Sequence, residues 1–163
     1  MTSEVVGATA VARLHDLGLT LPDPGPGDSR YVAFQRLGSS IYVSGQLPYV
    51  NGELVGQGTL GRDVSIEQAQ ELARLAALNA LAVAAAAVGE LDRVRVVQMM
   101  VFVASTHEFW DQSTVADAAS DLVLTVLADN GRHSRTAIGV AGLPRNSPVE
   151  IQMVCADVGP DTP

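Results

Sequence analysis

Cysteine is nearly absent from this 163-residue chain: Cys155 stands alone, so no internal disulfide can form. Its place in an alternating apolar segment marks it as a buried core thiol rather than a nucleophile. Aromatic residues make up only 4%, while the hydrophobic fraction is 47%, so the core must be built from Ala, Val and Leu. Basic residues number 10 against 18 acidic ones, a net charge of -8. That field repels phosphate backbones, and with no basic stripe interleaved with aromatics, nucleic-acid binding is disfavoured. The three histidines, His15, His107 and His133, are scattered without ligand spacing, so no metal site is expected. A glycine-rich phosphate loop is missing, and Ser44-Gly45-Gln46 lacks the flanking glycines of a nucleophile elbow. Met1-Thr2-Ser3-Glu4 shows no basic region followed by an apolar run, and the most apolar stretch, 76–88, is short for a bilayer span. A cytoplasmic protein without a membrane partner is the expectation.

What is present divides by period. Residues 4–19 carry Val5, Ala8, Val11, Ala12 and Leu14 at helical spacing and end at Gly18, predicting a short amphipathic helix. Residues 22–28 alternate proline, glycine and aspartate and predict an extended linker, so residues 1–30 read as a helix and linker ahead of a main domain, 31–163. Strand patterns follow at 31–37 and 41–45, then a hairpin through Asn51-Gly52 into 53–56, together a three-stranded antiparallel start. Ser65 with Gln68 forms a capping-box pattern, and 66–88 closes at Gly89, predicting the longest helix, with a small face of Ala69, Ala73, Ala76, Ala80, Ala84 and Ala87. The run 94–103 is apolar on both parities and predicts a strand buried on both faces; a second main helix is expected at about 114–127. Two helices cover only one face of such a sheet, so another subunit, or else the N-terminal helix, is expected over the other.

Most chemistry concentrates in 133–155. Two strand-like runs, 136–140 and 149–155, flank the loop Gly142-Leu143-Pro144-Arg145-Asn146, with Arg135 heading the first and Glu150 early in the second. An antiparallel connection would hold guanidinium and carboxylate at a fixed separation, suited to binding a small anion. Read alone, Arg135 is more often an exposed arginine beside Arg132 and His133, and Glu150 a solvated strand residue.

Three separated segments alter that weighting: YVSGQLP at 42–48, ALNALAVAAAAVGELDRV with VFV at 101–103, and RTAIGVAGLPRNSPVEI at 135–151. Together they resemble the RidA (YjgF) family of enamine and imine deaminases, over roughly 31–156, with the N-terminus pointing to an extended subgroup. The resemblance implies an α+β, chorismate-mutase-like fold: a mixed sheet of about six strands with two main helices on one face, plus the N-terminal helix. It also implies a homotrimer with active sites in clefts between subunits, and neither cofactor nor metal. By the same resemblance Arg135 is the substrate-carboxylate arginine and Glu150 the water-positioning glutamate, with Tyr31, Ser44 and Gly45 lining the pocket. Asp117, also expected among the substrate-binding residues, falls where the family commonly has Asn, Ser134 where it has proline, and Ala137 where cysteine is common. The implied activity is hydrolytic deamination of 2-enamine or 2-imino acids such as 2-aminoacrylate to 2-keto acids and ammonia. The alternative is a non-enzymatic module that binds 2-keto acids or a protein partner on the same scaffold, and endoribonuclease activity is opposed by the charge.

Overall fold

The computed structural model describes residues 8–25 and 30–159. In chain order the elements are α1 (Ala10–Asp16), β1 (Phe34–Leu37), β2 (Ser40–Gln46), β3 (Tyr49–Val50), β4 (Glu53–Leu54), α2 (Ile66–Val88), β5 (Val94–Ala104), α3 (Gln112–Leu127), β6 (Ser134–Val140) and β7 (Val149–Asp157). The fold is α+β, with the helices on one side of a mixed sheet. The predicted helix over 4–19 and the linker over 22–28 fall in part outside the described residues.

Helix α2 begins where its capping box predicts. Ser65 Oγ accepts from Gln68 N at 3.2 Å, Gln68 Oε1 accepts from Ser65 N at 3.0 Å, and the helix ends on Gly89 in the left-handed region at φ 96°. By length and composition α2 could cross a bilayer, yet 67% of its most apolar window is buried within the fold, the mark of a core helix. Its alanine face, Ala69, Ala73, Ala76, Ala80 and Ala84, is fully buried, which lets the axis lie close to β2 and β7. Helix α3 covers β5 and β6 alongside it, with Val115, Ala119, Leu122 and Val126 inward.

The main sheet has five strands in the order β1-β2-β7-β5-β6, with β3 and β4 forming a separate two-stranded hairpin. This corrects the expected three-stranded start. Asn51 and Gly52 do make the tight turn, at φ 52° and 81°, but β4 pairs back onto β3 rather than onto β2. Only β5 and β6 run parallel, and α3 is the crossover between them.

Strand β5 is also corrected. Its helix face is dry at Val94, Val96, Met99, Val101 and Val103, while the other face is half-open, and Val97, at a register irregularity against β7, is exposed. Helix α1 does not cover that second face. It packs on α3 and the turn Leu91–Arg93, burying Ala10 and Leu14, with Ala10 N donating to Asp92 Oδ1 at 2.8 Å and Arg13 Nε to the Val126 carbonyl at 2.6 Å. Among the described residues the sheet therefore keeps one open face, carrying Tyr42, Val154, Gln152, Glu150, Met100, Phe102, Thr136 and Ile138 in cross-strand register.

Candidate functional site

Arg135 and Glu150 occupy different surfaces of one chain. Arg135 aligns with Met99 on β5 and so shares the helix face, whereas Glu150 aligns with Phe102 on the open face. Strand β5 lies between β6 and β7, and the two residues are three positions out of register along it. Two strand spacings and that offset separate the Cα atoms by roughly 14 Å. The expected direct antiparallel pairing of their strands is thus overturned: the separation is fixed, but a small ligand on one side chain cannot touch the other within a chain.

Arg135 lies at the sheet edge beneath α3. Its Nη1 donates to Asp117 Oδ1 at 2.8 Å and to Ser120 Oγ at 3.2 Å. Ser120 Oγ is 3.1 Å from His133 Nε2, and His133 Nδ1 is 2.6 Å from the Gly131 carbonyl. Because a carbonyl only accepts, Nδ1 carries the proton; in neutral His133, Nε2 then accepts from Ser120, whose oxygen is left to accept from Arg135. Among the described residues Nε and Nη2 of Arg135 carry no hydrogen bond, and Arg135 lines an open cavity of about 480 Å³ with Ser120, Leu124, Arg132 and His133. The outer edge of the guanidinium fork is thus available to a carboxylate while Asp117 and Ser120 fix its inner end.

Glu150 sits in another cavity, of about 350 Å³, which brings together Tyr31, Ser44, Gly45 and Glu150 as the resemblance implies. Burial, with no ion pair to offset it, raises the Glu150 pKa above the ordinary carboxylate range. Gly45 is needed for space: a Cβ there would stand 1.8 Å from Glu150 Oε1. Ser44 Oγ donates to the Val32 carbonyl at 2.7 Å, which orients its lone pairs for accepting, and Tyr31 is exposed at the rim.

The cavity also contains residues that sequence reasoning passed over, chiefly Arg145, Gln46 and Tyr49. Arg145 was legible only as a loop residue, because nothing in its spacing shows that the 144–146 turn folds back beside β2. No group of three or more His, Cys, Asp or Glu able to hold a metal occurs among the described residues. The 163-residue chain has no lysine, all ten basic residues being arginine, so a Schiff base on a lysine of this chain is excluded. What the arrangement can do is bind an anion at Arg135 and activate or position water at Glu150.

Comparison with known proteins bears on the family and the fold. Residues 11–156 match the family described as "YjgF/chorismate mutase-like, putative endoribonuclease". Protein TCP17 of Trypanosoma cruzi is 42% identical over 91% of this chain and 94% of its own length. The crystal structure of Atu1372 from Agrobacterium tumefaciens, a protein of unknown function, superposes with a TM-score of 0.85 at 42% identity, covering 93% of each chain. Escherichia coli TdcF, crystallised with bound serine, gives a TM-score of 0.58 at 26% identity, over 83% of this chain and 94% of that one. On the span of the match and the identity to its relatives, the chain belongs to the YjgF (RidA) family.

Proposed function

We propose that the protein hydrolyses reactive 2-enamine or 2-imino acids, such as 2-aminoacrylate, to 2-keto acids and ammonia in the cytoplasm. Each site would join Arg135 of one subunit to the Glu150 cavity of the next in a homotrimer, with no cofactor or metal and no nucleic-acid or membrane partner. The observation that carries this reading is Glu150: a half-buried carboxylate without an ion pair and with a raised pKa, in a cavity kept open by Gly45. A carboxylate tuned upward by desolvation is suited to accept a proton from water near neutral pH. The open sheet face and the separation of Arg135 from Glu150 support a site completed by a second copy.

In this mechanism the fork of Arg135 grips the substrate carboxylate, and each charge-assisted hydrogen bond contributes about 1.5–3 kcal/mol. An enamine tautomerises to the imine. The imine reacts as its protonated iminium, and Glu150 takes a proton from a water as the water oxygen bonds to C2, giving a neutral carbinolamine. Glu150 then gives that proton to the nitrogen and takes the proton of the C2 hydroxyl as the C–N bond breaks, so a carbonyl forms and the released ammonia carries the last proton away as ammonium. Atoms balance with one water consumed and no oxidant.

Asp117 favours a second reading. Its carboxylate already pairs with Arg135 at 2.8 Å, so an incoming anion meets a resident competitor, as expected of a keto-acid-binding or interaction module without turnover. Purified protein mixed with freshly generated 2-iminopropionate separates the two. The deaminase accelerates pyruvate release and loses that acceleration as Arg135→Ala; saturable binding without acceleration selects the module.

A further inference from the structure

Arg145 lines two adjoining cavities, the one holding Glu150 and a larger one of about 680 Å³ toward Asn79 and Asn51. Its backbone is left-handed at φ 57° and ψ 24°, and Asn146 follows at φ 60°. Two consecutive non-glycine residues in that region are costly unless the surroundings hold them. Here they are held. Gln57 Nε2 donates to the Arg145 carbonyl at 2.9 Å, Gly58 N to the Asn146 carbonyl at 2.9 Å, and Ser147 N to the Pro144 carbonyl at 3.1 Å.

The loop thus sets Arg145 at the border of both cavities, and among the described residues its guanidinium has no hydrogen bond and no ion pair. Elsewhere Arg36, Arg62, Arg74, Arg93, Arg132 and Arg135 each pair with a carboxylate, while Arg13 donates to backbone carbonyls and Arg95 to Asn130 Oδ1. An unpaired arginine in a chain of net charge -8, on a strained and braced turn that lines the Glu150 cavity without pairing with Glu150, is a vacant anion contact. Each cavity carries one carboxylate, Asp23 in the larger, where its Oδ1 accepts from Gly25 N at 2.9 Å, and Glu150 in the smaller, and Arg145 lines both.

We infer that Arg145 is a specificity-determining residue that binds a second carboxylate, so that the preferred substrate is the imine of a dicarboxylic 2-keto acid rather than of pyruvate. The inference rests on the reading of the Glu150 cavity as the imine site. It adds a second anion contact to that cavity, distinct from the Arg135 fork that receives the substrate's own 2-carboxylate.

Binding of stable 2-keto acids to the assembled protein tests it without turnover. Calorimetry should give 2-oxoglutarate about 10- to 100-fold tighter than pyruvate, and tighter by a similar factor than 2-oxoglutaramate, which has the same length but a neutral distal amide. Arg145→Gly, which removes the guanidinium while tolerating φ 57°, should abolish both gaps and leave pyruvate affinity unchanged. Circular dichroism and the oligomeric state check that the loop variant is intact. Equal affinity for 2-oxoglutarate and 2-oxoglutaramate, or gaps that survive Arg145→Gly, overturns the inference alone when pyruvate still binds. If no 2-keto acid binds, both the inference and the parent reading fail.

Discussion

Two carboxylates on β7, Glu150 and Asp157, are treated in opposite ways by the same strand. Asp157 is wholly buried on the helix face and accepts from Arg93 Nε at 3.0 Å, Arg93 Nη2 at 2.8 Å, Arg36 Nη2 at 2.7 Å and Gly159 N at 3.0 Å. The Arg93 hydrogen bonds lead in holding its pKa down to about 2. Glu150 is half-buried on the open face without an ion pair, and desolvation pushes its pKa up. One strand thus carries a charge used as a lock and a charge left unpaired. What separates them is the supply of donors, since Gly45 removes a side chain from beside Glu150 where Asp157 gains two arginines.

The comparison breaks first at Glu150. Glu150→Gln keeps shape and hydrogen bonding but loses the base, so imine hydrolysis should fall by about 10²- to 10⁴-fold while 2-keto-acid binding persists. Its effect on stability has the opposite sign to that of a paired carboxylate. A folded pKa above the unfolded one means ionisation opposes folding as pH rises through that window, so the variant should be equally or slightly more stable at pH 7, by less than about 1 kcal/mol in urea denaturation. Activity of the unsubstituted protein should rise with pH through a value above the ordinary glutamate range, read from kcat/KM profiles.

Gly45→Ala sharpens the same contrast. The new methyl meets the mobile end of Glu150 rather than backbone, so the fold can keep its stability by moving that carboxylate aside. Turnover should drop by about tenfold or more with little change in thermal midpoint, because small misplacement of a catalytic group is costly. A large loss of stability instead would mean the glycine serves the β2 backbone itself.

Asp157→Asn should do the reverse, costing about 2 kcal/mol at neutral pH with turnover per folded oligomer unchanged. With the folded pKa lowered, the stabilisation from Asp157 is present above the unfolded pKa near 3.8 and is lost as pH falls through about 2. In the variant that part of the acid limb should flatten.

Periodicity and capping made the helices legible: Ser65, Gln68 and Gly89 fix both ends of α2, and the inward set Val115, Ala119, Leu122 and Val126 fixes the face of α3. Strand order was not legible. Nothing local to 134–157 reveals that β5 enters between β6 and β7, because that neighbour is supplied by residues forty positions earlier and by the α3 crossover. The Asn51-Gly52 turn was readable, but its partner strand was not, since a two-residue pairing leaves no alternation to count. In the candidate site, Tyr31, Ser44, Gly45 and Glu150 do meet, whereas Arg135 and Asp117 meet each other elsewhere. Arg145 stayed hidden because its position depends on backbone angles and on donors from Gln57 and Gly58.

The central claim is that Arg135 and Glu150 act together only across two copies of the chain, and mixed oligomers test it most directly. Arg135→Ala and Glu150→Gln chains, each inactive alone, are co-refolded in equal amounts and assayed on 2-iminopropionate. Random assembly gives an intact Arg135 facing an intact Glu150 with chance one half times one half, so about a quarter of wild-type activity should return. Activity that stays at the level of the separate variants in verified mixed oligomers would contradict the account.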